Sequence, residues 1–127
     1  MKKLENDPFR HLLPKTIICD IDGVLIKHNG DITTQCTGGK LLPGVKQTLI
    51  SWDRKGYRII LITGRRESKR NDTMKQLTEL GVFYDELIMG VGGGDRIIIN
   101  DTKPASDRIT CKAICLKRNV GLKEVNI

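Results

Sequence analysis

The stretch Thr16-Ile17-Ile18-Cys19-Asp20-Ile21-Asp22-Gly23 decides how this chain is read. Residues 16–19 are short, apolar and β-branched, the pattern of a strand buried inside a parallel sheet. The run stops at two carboxylates and a glycine. Alternate side chains of an extended segment share a face, so Asp20 and Asp22 repel unless a cation lies between them or one is protonated. A hard divalent ion bound by oxygens relieves that repulsion, and Mg2+ suits phosphate chemistry.

Two more apolar runs end in the same way. Arg58-Ile59-Ile60-Leu61-Ile62 leads into Thr63-Gly64-Arg65, and Arg96-Ile97-Ile98-Ile99 leads into Asn100-Asp101. Between the first two, Pro43-Gly44 opens a helix that carries Val45, Leu49 and Trp52 on one face and is closed by Gly56. A second helix is expected over residues 67–80, with Met74, Leu77 and Leu80 as its apolar edge. Leu87-Ile88-Met89 is another short apolar piece, and a last strand is expected over residues 112–116.

This alternation predicts an α/β class: one Rossmann-like three-layer domain over residues 1–127, with a mostly parallel central sheet and helices on both faces. Residues 24–42 are rich in Gly and Thr and contain the Asn29-Gly30 turn signal, so they read as a small flap after the first strand. No cap domain is expected. Parallel strands present their carboxyl ends to one edge, where ligands bind, so the three polar strand ends are expected to converge there.

The convergent set suits phosphoryl transfer, which needs positioning and charge stabilisation above all. A carboxylate attacks a phosphate only when their mutual repulsion is offset. Asp20 is the candidate nucleophile. Asp22 is placed to protonate the leaving oxygen and then to deprotonate water. Gly23, Thr63, Gly64 and Arg65 are candidate phosphate-binding residues, and Asp20, Asp22 and Asp101 candidate metal ligands. Gly92-Gly93-Gly94 lacks the ending of a phosphate-binding P-loop and reads as a connector.

Composition narrows the class. The chain has 127 residues and a net charge of +7, with 39% hydrophobic but only 4% aromatic residues, so its core must be aliphatic. The cluster Arg65, Arg66, Lys69 and Arg70 has no aromatic residues between its cations, which favours a general attraction to anionic substrates over nucleic acid. The four cysteines form no CxxC pair, which argues against a zinc site and against a secreted disulfide scaffold. His11 and His28 lie outside any metal spacing. The amino terminus has no apolar signal segment, and no run is long enough to span a bilayer, so a cytoplasmic protein without membrane contact is expected.

These motifs resemble those of the haloacid dehalogenase superfamily of phosphotransferases. "TIICDIDGVL" looks like its first motif, "IILITGR" its second, and "IIINDTKP" its acidic fourth. The resemblance implies a Mg2+-dependent phosphomonoesterase that passes through an aspartyl-phosphate on Asp20. Asp22 would be the acid/base and bind metal through its carbonyl, Thr63 and the Gly64 amide would hold the phosphoryl group, and Asp101 would bind the metal. An Asp two places after the nucleophile implies phosphatase or phosphomutase chemistry. The basic third motif falls to Lys103 by proximity, with Arg70 or Lys69 behind it and Arg96 at the start of a strand. Without a cap, a neighbouring subunit of a homo-oligomer or a large substrate would shield the site. "GGGDRIIINDTKP" with "LKRNVGL" resembles small phosphatases of capsule and surface-polysaccharide synthesis, which implies a sugar phosphate or similar small metabolite. A weaker likeness to phage end-healing phosphatases implies a phosphorylated nucleic-acid end. A non-catalytic basic polyanion-binding module is the third alternative.

Overall fold

The computed structural model describes residues 13–102 and 108–127. Three strands form one parallel sheet in the order β1-β2-β3: β1 is Thr16–Asp20, β2 is Arg58–Ile62 and β3 is Glu86–Ile88. Helix α1, Val45–Arg54, joins β1 to β2. A single 3-10 turn, Glu67–Lys69, and helix α2, Arg70–Glu79, join β2 to β3. The register pairs Ile17 with Ile59, Cys19 with Leu61, and Leu61 with Leu87, so one face carries an unbroken apolar set.

That face is the core. Cys19, Ile59, Leu61 and Leu87 are buried with Val45, Leu49 and Trp52 of α1 and Leu77 of α2. The opposite face is half open, with Ile18 and Ile88 at 47% and 45% exposure. Sequential strands that advance in one direction through right-handed crossovers place both helices over the same face. The α/β class and the parallel sheet stand as expected from the sequence. The helices expected on the second face are not among the elements of the described residues.

The expected strand over residues 96–99 does not form, and Ile97 and Ile99 are 81% and 93% exposed. A parallel strand needs a crossover of roughly a dozen residues or more to return to the starting end of the sheet. Only residues 89–95 separate β3 from this run, and three of them are consecutive glycines. Residues 112–116 are irregular as well.

Helix α2 buries an unexpected face. Met74 is 42% exposed, whereas Thr73, Gln76 and Leu77 are buried. The stripe that includes Leu77 and Leu80 runs through positions 73 and 76, and polar side chains fill both.

Residues 24–42 leave and return through an antiparallel base: Lys27 N–H donates to the Lys40 carbonyl, Leu42 N–H donates to the Leu25 carbonyl, and Ile26 bridges to Leu41. The carboxyl-terminal turn closes over the entry to α1, where Leu122 N–H donates to the Pro43 carbonyl. Gly121 has φ +85°, and a Cβ there would lie 2.3 Å from the Pro43 carbonyl oxygen. Gly121→Ala is therefore expected to destabilise the fold by more than about 1 kcal/mol in urea unfolding, because neither the backbone angle nor the close approach tolerates a Cβ. Gly92→Ala, in open space, serves as the control and is expected to leave the midpoint unchanged.

Candidate active site

Beyond β1 the chain makes a tight turn in which the N–H groups of Val24, Leu25 and Ile26 all converge on the Ile21 carbonyl. The turn buries Ile21 and Leu25 and leaves Asp20 and Asp22 at the carboxyl edge of the sheet. The Asp22 carbonyl is not an acceptor in this turn.

The two carboxylates sit in different surroundings. Asp22 is held by Arg65, whose Nε reaches Oδ2 at 2.9 Å and whose Nη2 reaches Oδ1 at 2.7 Å. Gln35, from the flap, donates to the same Oδ1 at 2.8 Å. The side chains of Arg65 and Asp22 are 6% and 17% exposed. The remaining donors of Arg65 reach Thr73 Oγ1, Gln76 Oε1 and the Gln35 carbonyl, at 3.1, 2.8 and 3.3 Å. A guanidinium has five N–H groups, and here the protein takes all of them. Arg65, expected to bind phosphate, is instead a clamp on Asp22.

Asp20 is half buried, and its carboxylate accepts the Ile21 N–H at 2.9 Å through Oδ1. Burial pushes its carboxyl above the usual carboxylate range. The Ile21 N–H and the charge of Arg96 pull it back, Asp22 pushes it further up, and His28 opposes that push. A desolvated carboxylate with one hydrogen bond fits a divalent cation, as does the open carbonyl of Asp22 beside it.

Among the described residues, no three His, Cys, Asp or Glu side chains gather into one group able to hold a metal ion. The strand expected to carry Asp101 to the sheet edge does not form. Asp101 is exposed, and its carbonyl accepts from Thr110 Oγ1.

Thr63 is buried at the end of β2, and its Oγ1 accepts the Arg65 N–H at 3.1 Å. Gly64 faces the Val91 carbonyl, with room for a Cβ only 3.2 Å away. Gly23 has φ +85° and packs beneath the Arg118 side chain. Among the basic candidates, Arg70 is committed to Glu67 and to the Leu87 carbonyl, and Lys69 lies 3.9 Å from Asp72. Arg96 acts on Asp20 while its Nη1 is held by the carbonyls of Gly92 and Gly94. Lys103 and His11 lie outside the described residues.

Sequence reasoning missed Gln35, Thr73, Gln76, Arg118 and Asn119. Asn119 pins the flap: its N–H donates to the Gly23 carbonyl, and its side chain exchanges two hydrogen bonds with the backbone of His28. The polar residues at the stripe positions 73 and 76 were the one legible signal. Nothing in the pattern marks Arg118, whose guanidinium has no hydrogen-bond or ion-pair partner among the described residues. The four cysteines are unpaired, and no helix among the described residues is long and apolar enough to cross a membrane.

Residues 17–89 match the family described as "Haloacid dehalogenase-like hydrolase". The match covers β1 from Ile17 and all of β2 and β3, and stops short of Asp101. The chain is 37% identical over 60 residues to an uncharacterised protein of Methanocaldococcus jannaschii, covering 46% of this chain and 61% of the relative. Among solved structures it is similar to a chain of a Pnkp1/Rnl/Hen1 complex, at 34% identity and a TM-score of 0.55, covering 67% of this chain and 31% of that one. It is also similar to a chain of the Pnkp1/Rnl/Hen1 RNA repair complex, at 31% identity and a TM-score of 0.53, covering 65% and 28%. The chain thus spans about three-fifths of its curated relative and under a third of those structural neighbours.

Two outcomes follow from the contrast between the carboxylates. Removing one partner of a buried ion pair strands the other charge, so Arg65→Met is expected to cost about 3–5 kcal/mol. On an Asp22→Asn background the same change is expected to cost at least about 1.5 kcal/mol less, measured as a double-mutant cycle in urea. For Asp20, a raised folded-state pKa means that the native state binds more protons than the unfolded chain between the two pKa values, so stability falls as pH rises through that window. Asp20→Asn is therefore expected to stabilise the metal-free protein at neutral pH. Its advantage should vanish below the ordinary carboxylate range, which thermal unfolding across pH in chelator measures.

Proposed function

The chain belongs to the haloacid dehalogenase-like hydrolase family, and on that premise we propose that it is a Mg2+-dependent phosphomonoesterase with Asp20 as its nucleophile. The observation that carries the proposal is the division of labour at the turn after β1: one carboxylate desolvated and open, the other clamped by three donors. Groups whose surroundings differ this much take different roles in one reaction.

An Asp20 oxygen attacks phosphorus, and the ester P–O bond breaks. The departing oxygen takes its electron pair and a proton from Asp22, leaving the phosphoryl group on Asp20. Water then attacks that phosphorus and gives its proton to Asp22, and the Asp20 carboxylate leaves. Asp22 ends protonated, as it began. Thr63, the Gly64 amide and the backbone at Gly23 are in the right segments to bind the phosphoryl oxygens, and Arg96 supplies positive charge beside the nucleophile. The Asp20 carboxylate and the Asp22 carbonyl would hold Mg2+, whose charge offsets the repulsion between carboxylate and phosphate.

Two substrate classes compete. A phosphorylated sugar or small metabolite rests on the resemblance of the segments at 92–104 and 116–122. A phosphorylated nucleic-acid end is favoured by the similarity to chains of a Pnkp1/Rnl/Hen1 RNA repair complex, together with the net charge of +7 and Arg118 above Gly23, whose guanidinium has no partner among the described residues.

Phosphate release from p-nitrophenyl phosphate is expected to require Mg2+, and Asp20→Asn is expected to lower it at least ~10^3-fold while leaving the protein folded. Activity that survives in chelator, or in the variant, refutes the nucleophile assignment. An oligonucleotide end-phosphate turned over in preference to sugar phosphates, with a rate that falls steeply with salt, selects the nucleic-acid class; a flat salt response selects the small metabolite.

A further inference from the structure

We propose that Gln35, in the flap, is a positioning residue that confines the exchangeable proton of Asp22 to its Oδ2 atom. This rests on the reading of Asp22 as proton donor. A carboxylate offers about four lone-pair positions, two on each oxygen. Oδ1 receives Arg65 Nη2 at 2.7 Å and Gln35 Nε2 at 2.8 Å, which fills it. Oδ2 receives Arg65 Nε alone, at 2.9 Å. The position left for a proton is on Oδ2, and Gln35 is the residue that makes the two oxygens unequal.

The amide of Gln35 cannot be turned the other way. Its Oε1 accepts the Asn29 N–H at 2.9 Å, and the second hydrogen of Nε2 goes to the Lys27 carbonyl at 3.0 Å. A flipped amide would set its oxygen against two acceptors and its nitrogen against a donor. The backbone of Gln35 is held as firmly: its carbonyl accepts Gln76 Nε2 at 2.9 Å and Arg65 Nη2 at 3.3 Å. Gln76 also donates to the Gly38 carbonyl at 2.9 Å, so helix α2 holds both sides of the flap interior. Gln35 is 8% exposed and meets its hydrogen-bonding needs within this cluster. Within the flap the Lys27 carbonyl takes one of its two amide hydrogens, and the other goes to the Asp22 carboxylate.

The test separates proton donation from general damage. The p-nitrophenolate anion leaves with little need of a proton, whereas the alkoxide of glycerol phosphate needs one fully. Single-turnover phosphoryl transfer is measured with both esters for wild type, Gln35→Leu and Gln35→Met, the last keeping side-chain length should the first unfold. Thermal unfolding reports the folded fraction. The expected result is a fall in the glycerol phosphate rate at least ~10-fold greater than the fall with p-nitrophenyl phosphate, since a positioned general acid is worth about 10^2–10^4. Equal falls with both esters reduce Gln35 to a flap-holding role and overturn the inference, as does no change with either. A wild type inert toward both esters has a different signature: it overturns the phosphatase reading itself, and this inference with it.

Discussion

The Arg65 guanidinium is the constraint on which the site depends. A buried cation is tolerated only when its charge is compensated and every N–H finds an acceptor. Those acceptors come from four places: Asp22 beyond β1, Gln35 in the flap, and Thr73 and Gln76 on α2. Gln35 also donates directly to Asp22, and Gln76 to the Gln35 carbonyl, so the same three segments are joined around the guanidinium as well as through it. Placing Arg65 three residues past the end of β2 therefore fixes the Asp22 carboxylate, the inner side of the flap and the rotation of α2 in one step. That rotation explains why α2 exposes Met74 and buries Gln76. Turning the helix to bury the methionine would remove the acceptor for Arg65 Nη1 and the donor to two flap carbonyls.

The same clamp separates two aspartates that are chemically alike and only two residues apart. With its charge compensated and its rotamer set by three donors, Asp22 is a poor candidate for bond formation at phosphorus and a good one for moving a proton along a fixed direction. Asp20 has the opposite properties. It is desolvated, accepts one backbone N–H and feels the charges of Arg96 and His28 only through space. A nucleophile needs a free oxygen, and a metal ligand needs unspent negative charge; Asp20 offers both.

The apolar runs made β1, β2 and α1 legible, because each carries its own burial pattern in sequence: Ile17 and Cys19, Ile59 and Leu61, and Val45, Leu49 and Trp52. The pair Asp20 and Asp22 was legible because their spacing alone creates a charge problem that needs an answer. The partner of Asp22 was not, since the answer came from an arginine expected to serve phosphate and from a glutamine within an irregular stretch. Residues 96–99 misled for a related reason. Composition marks a run as able to form a strand, but whether it joins a sheet depends on the length of chain that brings it there, and residues 89–95 are too few.

The flap is anchored at more than its hinge, and this bears on how the site selects what enters. At its base, the side chain of Asn119 bridges the N–H and carbonyl of His28 while its own N–H holds the Gly23 carbonyl. At its interior, Gln76 holds the carbonyls of Gln35 and Gly38. A lid that opened and closed would have to break these bonds in a buried setting and leave the donors of Gln76 and Arg65 unpaired, at a cost of about 1–3 kcal/mol for each stranded group. Discrimination at this site therefore falls to fixed features of its rim. One of these is Arg118, whose stem lies across Gly23 and whose guanidinium is unpartnered among the described residues.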